Sequence, residues 1–172
     1  MSINTKKMTR IALFSAILCV ISPFSIPVGT VPISLATLGV YFAAAVLEPI
    51  SATLSVLIYV LLGAVGLPVF SGMRGGVSVI AGPTGGFIVG YIACAFLASL
   101  LMHKFGKKLL TPVWLVIATA VLYVIGTVWF MVVMKQSIAA AIGACVLPFL
   151  IGDALKIIIV SVFDAKLSKY IK

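Results

Sequence analysis

Long apolar runs, separated by short segments rich in glycine, proline or lysine, dominate this chain. A membrane-spanning helix needs about 20 predominantly apolar residues. On that criterion the pattern predicts six spans, the first two being separated by a segment that contains Pro27, Gly29 and Pro32. The spans cover approximately residues 10–26, 33–48, 50–66, 85–103, 112–134 and 148–167. A short helix over 138–147 leads into the sixth span, and the alternative is one helix kinked at Pro148 over the whole stretch.

The composition decides what solvent the surface of the protein meets. Hydrophobic residues make up 63% of the 172 residues and charged residues only 9%, with a mean hydropathy of +1.35. Soluble domains carry about 25% charged residues, so a soluble enzyme, a disordered chain and a nucleic-acid binder are excluded despite the net charge of +9. We therefore expect residues 1–172 to form a single all-α integral membrane domain, a six-transmembrane-helix bundle surrounded by the lipid bilayer.

The distribution of positive charge predicts the orientation of that bundle. In a six-span arrangement, nine cations share the side of the two termini, whereas only Arg74 and Lys135 lie on the other side. The nine are Lys6, Lys7, Arg10, Lys104, Lys107, Lys108, Lys166, Lys169 and Lys172. The positive-inside rule then places both termini in the cytoplasm of a multi-pass protein of the cell membrane. The first apolar run is expected to be a retained span rather than a signal peptide.

The most informative charged residues lie inside the sixth span. Asp153 and Lys156 are three residues apart, so a helix presents them on one face. Each would cost about 2.5–3.5 kcal/mol if it faced lipid near the bilayer centre, and we therefore expect both to face the bundle interior. Two interpretations remain: a structural ion pair that fixes the helix register, or a ligand site with an anionic acceptor beside a cationic donor. Only two other acidic residues exist, Glu48 and Asp164, and both are expected near the cytoplasmic ends as interfacial groups or partner contacts.

The connections on the side opposite the termini are irregular and rich in glycine and proline. Such backbone is tolerated near a membrane only where it is buried in protein or lines a cavity, so the pattern favours a pocket that opens outward. Arg74 lies in the second of these connections, either as an anchor at the lipid headgroups or as a clamp for a carboxylate. The remaining polar candidates for this pocket are Ser34, Thr37, Tyr59, Ser78, Thr84 and Tyr91.

Motifs that would carry catalysis are missing from the sequence. It has no G-x-x-x-x-G-K-[ST] loop for ATP, no H-E-x-x-H or G-x-S-x-G motif, and one histidine in total. We therefore expect a binding protein rather than an enzyme, with no bound cofactor or metal. An apolar and aromatic pocket with a few charged groups is typical of a small-molecule site.

Three blocks of the sequence are informative: residues 32–70, the run G-P-T-G-G-F at 82–87, and the run P-F-L-I-G-D-A-L-K at 148–156. Together they resemble the BioY family, the biotin-specific S components of energy-coupling factor (ECF) transporters. Residues 32–34, 37–40 and 62–70 resemble the front half of the family. Residues 82–87 read G-P-T-G-G-F and resemble its central signature, and residues 148–156 resemble its last-span motif P-F-x-x-G-D-x-x-K. The blocks occur in order and extend over nearly the whole chain.

The resemblance implies a biotin pocket near the outer face, closed by the first loop, with Asp153 and Lys156 as ligand groups. The ureido ring offers N–H donors to the aspartate and a carbonyl to the ammonium, while the valerate carboxylate would meet Lys156 or Arg74. It also implies that Ala12 and Ala16 dock a transmembrane coupling subunit of the EcfT type. The chain departs from many relatives in having alanine rather than glutamine at position 36.

The same resemblance implies the partners that supply energy. This chain has no motif for ATP, so two ATP-binding cassette ATPases would bind the ATP. The coupling subunit would connect these ATPases to this chain. Three alternatives stay open at this stage: an S component of the same architecture for another vitamin, an intramembrane enzyme, and a structural or assembly subunit without a ligand.

Overall fold

The protein is described by a computed structural model that covers residues 5–106 and 108–167. Within these residues the chain forms eight α-helices, a two-stranded hairpin and one 3₁₀ turn at Lys108–Leu110. The helices are α1 Thr5–Ile21, α2 Ala36–Val46, α3 Pro49–Ala64, α4 Val77–Ala81, α5 Gly85–Phe105, α6 Thr111–Met134, α7 Ile138–Cys145 and α8 Leu147–Leu167. The strands are β1 Ser25–Ile26 and β2 Ile33–Ser34. Lys107, Lys169 and Lys172, which contribute to the predicted orientation, lie outside the described residues.

Local sequence explains where most of the helices begin and end. Helix α3 begins with Pro49, which is suited to the first helical position because its missing N–H would have no partner there. Helix α5 ends at Gly106, whose φ of 57° is the left-handed conformation that commonly closes a helix. A break at Val146 separates α7 from α8, so the segment before the sixth predicted span is a distinct short helix.

Three stretches of the described chain are long and apolar enough to cross a bilayer. They are Gly85–Phe105, Thr111–Met134 and the combined stretch Ile138–Lys166. At about 1.5 Å per residue, α5 is about 32 Å long and matches the hydrocarbon core of a bilayer. Helices α2 and α3 are apolar but shorter, with 11 and 16 residues. The mostly helical membrane architecture is therefore confirmed, whereas the count of six spans stays a prediction.

The helices in the region of the first two predicted spans have other bounds than those spans. Helix α1 occupies 5–21 rather than 10–26, because Pro23 disfavours helical geometry at Ser22 and the chain leaves the helix there. Helix α2 begins only at Ala36, because residues 33–34 pair with β1 instead. Ser25 faces Ser34 and Ile26 faces Ile33 in this antiparallel hairpin, and Leu35 N–H donates to Phe24 O at 3.1 Å. The all-α expectation thus missed a small β element.

Hydrogen bonds between elements hold both ends of the bundle together. We call the end that carries the hairpin and α4 the pocket end, and the end that carries the start of α1 and the end of α8 the terminal end. At the pocket end, Trp129 Nε1 of α6 donates to Gly82 O at 3.0 Å, and Gly72 N–H donates to Pro23 O at 3.0 Å. At the terminal end, Thr111 Oγ1 of α6 donates to Asp164 Oδ2 of α8 at 2.8 Å. Two of the connections that the sequence predicted to be irregular, around residues 27–32 and 66–86, belong to the pocket end, whereas the third, residues 147–153, is the helical start of α8.

Helix α5 packs against α2, α3 and α6 and forms the centre of the bundle. Its contact with α6 is close because Gly86 and Gly90 face that helix. A Cβ atom at Gly86 would collide with Trp129, and one at Gly90 would lie 2.7 Å from Leu122 Cδ1. The outward surfaces of α6 and α8 remain apolar, as a surface in contact with lipid should be.

Candidate functional site

Asp153 and Lys156 form a buried ion pair on α8. Lys156 Nζ lies 2.9 Å from Asp153 Oδ1, and the two side chains are only 9% and 4% exposed, respectively. The ammonium also donates to Ser34 O and to Thr37 Oγ1, both at 2.8 Å. Its three N–H donors therefore have three acceptors, which is the condition for burying such a charge.

The carboxylate of Asp153 accepts two hydrogen bonds besides the one from Lys156. Thr37 Oγ1 donates to Oδ1 at 3.0 Å, and Tyr123 Oη of α6 donates to Oδ2 at 2.7 Å. Because Thr37 accepts from Lys156 and donates to Asp153, its hydroxyl bridges both charges. Three elements meet at this pair, since β2, α2 and α6 each bring a polar atom to α8. An isolated buried charge would be strongly unfavourable, and these contacts offset that penalty.

The ion pair forms part of the wall of a cavity at the pocket end. The empty volume between its lining residues is about 550 Å³, a figure that includes the space open to the outside. Polar lining groups come from Ser34, Thr37, Tyr59, Ser71, Arg74, Thr84, Tyr91, Tyr123, Asp153 and Lys156. Apolar lining groups come from Val31, Pro32, Phe70, Val79, Phe87, Ile88, Leu122 and Phe149. The arrangement places a carboxylate and an ammonium side by side, between apolar and aromatic walls.

Two pairs of aromatic rings stiffen these walls. The rings of Phe87 and Phe149 are stacked with centroids 6.0 Å apart, and those of Tyr59 and Phe70 meet edge to face at 5.7 Å. Such offset and edge-to-face pairs each contribute about 0.5–1.5 kcal/mol beyond burial alone. The cavity therefore has walls of fixed shape rather than loosely packed side chains.

The structure brings most of the predicted pocket residues together. Eight of the nine line this cavity: Ser34, Thr37, Tyr59, Arg74, Thr84, Tyr91, Asp153 and Lys156. Ser78 does not line this cavity, and its role in the ligand site stays a prediction. Successive residues of a helix point about 100° apart, so α4 turns Val79 toward the cavity, while the exposed Ser78 lines an adjoining outer depression that shares Arg74, Val79 and Thr84 with it. Arg74 is exposed as well, and its Nε donates to Ser71 O at 3.2 Å.

Tyr123 is the functional candidate that sequence reasoning missed. A signal was available, because Thr119, Tyr123 and Thr127 recur every four residues within an otherwise apolar helix. That spacing places polar groups on one helical face. Thr119 of the same face pairs with Tyr41 of α2, with 2.6 Å between the two hydroxyl oxygens. The aromatic wall residues Phe70, Phe87 and Phe149 were also missed, since phenylalanine inside an apolar run carries no distinguishing pattern.

The other two acidic residues lie at the terminal end of the bundle. Glu48 is exposed and pairs with Lys7, with 2.8 Å between Nζ and Oε2. The hydrogen bond and charge of Lys7 lower the pKa of the Glu48 carboxyl below its ordinary value. Asp164 was expected to be interfacial or to contact a partner, but it is buried against Thr111. Its contact is with the protein itself, because α8 turns this side chain toward the start of α6.

Ala12 and Ala16 lie on an exposed face of α1, on which Met8 and Val20 continue the four-residue spacing. Their role in docking a partner stays a prediction. Among the described residues, no group of three His, Cys, Asp or Glu side chains could hold a metal ion.

Comparison with known proteins places the chain in a family. The model of the BioY family matches residues 1–172. The chain is 37% identical over 170 residues to "Biotin transporter BioY2" of Lactococcus lactis subsp. cremoris, covering 95% of this chain and 92% of that protein. It is 35% identical over 167 residues to "Biotin transporter BioY" of Thermotoga maritima, covering 95% and 96%.

A solved structure has the same fold. It is the crystal structure of the S-component for biotin from an ECF-type ABC transporter, with a TM-score of 0.90, 24% identity, and coverage of 98% of this chain and 95% of that one. Together with the apolar helices, this likeness identifies a multi-pass helical membrane protein. By the match of the family model over its whole length, the chain belongs to the BioY family.

Proposed function

We propose that this chain is the biotin-binding S component of an ECF transporter, a transporter subunit rather than an enzyme. The observation that carries the proposal is the fully hydrogen-bonded Asp153–Lys156 pair in the wall of an apolar cavity. Relatives that are more than 30% identical over nearly their whole length, and that are named biotin transporters, support the choice of ligand.

The chemistry of biotin fits this wall. Its ureido ring carries N–H donors beside a carbonyl acceptor, which complement a carboxylate beside an ammonium. The sulfur-containing ring and the valerate chain are apolar and suit the aromatic walls that Phe87, Phe149 and Phe70 provide. The valerate carboxylate needs a cation, and Arg74 at the exposed side of the cavity is the candidate that leaves Lys156 for the ureido carbonyl.

The proposed orientation places the pocket end outside the cell and both termini in the cytoplasm. The six proposed spans are α1, α2, α3, α5, α6 and α8, in the cell membrane. The support is the predicted charge distribution, in which nine cations fall on the side of the termini and two, Arg74 and Lys135, fall on the other side. Biotin would then be captured from the extracellular side.

The energy for uptake would come from partner subunits. The sequence contains no phosphate-binding loop for ATP, so two ATP-binding cassette ATPases and an EcfT-like coupling subunit complete the proposed transporter. The exposed alanines Ala12 and Ala16 on α1 are the proposed contact with the coupling subunit, because small side chains let two helices approach closely.

Equilibrium binding to the purified chain tests the ligand. Biotin, thiamine and riboflavin are titrated in parallel, and we expect biotin to bind tightest by a wide margin. Diaminobiotin, which lacks the ureido carbonyl, serves as the matched control and should bind far more weakly than biotin. Binding of biotin no tighter than thiamine or riboflavin would assign the chain to another vitamin. If no vitamin binds and Asp153→Asn alters only folding, the pair is structural.

A further inference from the structure

A second concave site lies at the terminal end, far from the biotin cavity. It is a notch between the start of α1 and the connection from α2 to α3, with an empty volume of about 300 Å³ that includes space open to the outside. Its lining residues are Lys7, Arg10, Val46, Leu47, Glu48 and Ser51. The notch therefore carries two cations and one anion.

The charges in the notch do not cancel. Glu48 is paired with Lys7, whereas the side chain of Arg10 has neither an ion pair nor a hydrogen bond within residues 5–106 and 108–167. Arg10 and His103 are nevertheless close enough to contribute to the lowered pKa of Glu48. Since only one carboxylate faces these cations, a net positive charge remains and favours an anion.

Ser51 points to a ligand in its own right. It is only 9% exposed, it lines the notch, and its hydroxyl has no hydrogen-bond partner among the described residues. Because the hydroxyl lines the notch and donates to no protein group within those residues, it is free to donate to an incoming acceptor. Ser51 and Glu48 also flank the first turn of the 16-residue helix α3. The first amides of a helix lack partners within it, and its positive end favours anions such as phosphate.

The notch is rigid because neighbouring hydrogen bonds fix its two walls. Ser15 Oγ of α1 donates to Ser55 O of α3 at 2.9 Å, one turn beyond Ser51. Ser99 Oγ of α5 donates to Leu47 O at 2.7 Å and holds the α2–α3 connection in place. The donors are therefore preorganised for one position of a bound group.

We propose that this notch binds the phosphate group of an anionic phospholipid, with Arg10 as the charged donor and Ser51 as the neutral donor. The location supports a lipid source, because the notch lies beside the apolar α1, where the start of a membrane helix meets the headgroups. The exposed side chain of Leu13, one turn beyond Arg10 on α1, offers apolar surface to an acyl chain. In this proposal Arg10 binds a lipid phosphate in addition to contributing to the positive-inside orientation of the chain.

Lipid binding to the purified full chain tests this proposal. Native mass spectrometry and thermal unfolding are carried out with phosphatidylglycerol, with phosphatidylcholine and with inorganic phosphate. We expect phosphatidylglycerol to bind preferentially and to raise the unfolding midpoint. Arg10→Gln should weaken that preference about fivefold, which corresponds to about 1 kcal/mol, and Ser51→Ala should weaken it in the same direction. Lys104→Gln removes an exposed cation at the same end that does not line the notch, and it should leave the preference unchanged.

Each other result has a defined meaning. If inorganic phosphate stabilises the protein as well as the lipid does, with the same dependence on Arg10 and Ser51, the phosphate site stands and its source is soluble. A preference for phosphatidylglycerol that survives both substitutions overturns the proposal. So does a result in which the variants bind lipid normally but assemble poorly with the coupling subunit, because the notch would then hold an acidic group of that protein. Unchanged biotin affinity shows that the variants are folded.

Discussion

Two ion pairs of almost equal length occupy opposite ends of this protein. Lys156 Nζ lies 2.9 Å from Asp153 Oδ1, and Lys7 Nζ lies 2.8 Å from Glu48 Oε2. The first pair is 9% and 4% exposed, whereas the second is 51% and 60% exposed. Distance alone therefore says little about what an ion pair contributes. Breaking the buried Asp153–Lys156 pair is strongly unfavourable, whereas water screens the exposed Lys7–Glu48 pair and makes its contribution to stability small.

The largest expected effect comes from neutralising one partner of the buried pair. Asp153→Asn keeps the side-chain shape but leaves the ammonium of Lys156 without its counter-charge. We expect biotin affinity to fall more than about tenfold, or 1.4 kcal/mol. Breaking a buried pair in this way destabilises a protein by about 3–5 kcal/mol. Biotin titration and thermal unfolding measure the two effects, and Lys156→Ala should also reduce affinity more than about tenfold.

The same chemical change at the exposed pair is the matched control. Glu48→Gln also replaces one carboxylate by an amide, and it should leave biotin affinity unchanged. If the two substitutions have equal effects, or if a well-folded Asp153→Asn protein binds biotin normally, burial does not distinguish the pairs. In the second case Asp153 serves only the helix register.

A smaller loss is expected when the support of the buried carboxylate is removed. Tyr123→Phe deletes the donor to Asp153 Oδ2 and leaves a buried carboxylate oxygen unsatisfied, which is unfavourable by about 1–3 kcal/mol. Biotin affinity should fall about tenfold. Tyr41→Phe is the control, because it removes a buried hydroxyl that pairs with Thr119 instead. Equal affinities for biotin in the two variants would show that Tyr123 has no special role in the site.

Arg74 extends the comparison to a cation that is exposed yet lines the cavity. We expect Arg74→Gln to weaken biotin about fivefold, the ratio that corresponds to about 1 kcal/mol. Biotin amide, which carries no carboxylate, should bind the variant and the unchanged protein equally well. A loss that is the same for both ligands would assign the valerate carboxylate to Lys156 instead.

The smallest effect concerns the acid dependence of the exposed pair. Because the hydrogen bond from Lys7 lowers the pKa of Glu48, the folded protein binds this proton less readily than the unfolded chain. The resulting stabilisation is present above the ordinary carboxyl pKa and is lost as the pH falls through the lowered value. Unfolding midpoints of the unchanged protein and Glu48→Gln should therefore differ slightly at neutral pH and converge in acid. A difference that grows in acid would contradict this assignment.

Local sequence predicted the parts of the site that depend on spacing within one helix. The three-residue interval between Asp153 and Lys156 implied a common face, and the ion pair confirms that geometry. Thr37 and Ser34 were correctly expected near the same pocket, although their contacts with Lys156 depend on how β2 and α2 meet α8. Those contacts join residues more than 100 positions apart, and no local pattern encodes them.

The structure differs from the sequence-based expectation where tertiary contacts override local preference. The hairpin pairs two residues with two, which is too short for an alternating pattern to reveal. Ser78 was expected in the pocket because its loop was, yet one turn of helix directs its neighbour Val79 there instead. The orientation of the bundle and the docking role of Ala12 and Ala16 remain predictions, because they concern a membrane and a partner.

The ammonium of Lys156 has as many acceptors as it has protons, and one of them is the carbonyl of Ser34 in the hairpin. Any ligand oxygen that reaches this ammonium must displace one of these acceptors, so occupancy is an exchange reaction rather than an addition. If Ser34 is the group displaced, strand β2 loses its tether to α8. The side chain of Lys156 would then couple ligand binding in the cavity to the rate at which the hairpin moves away from α8.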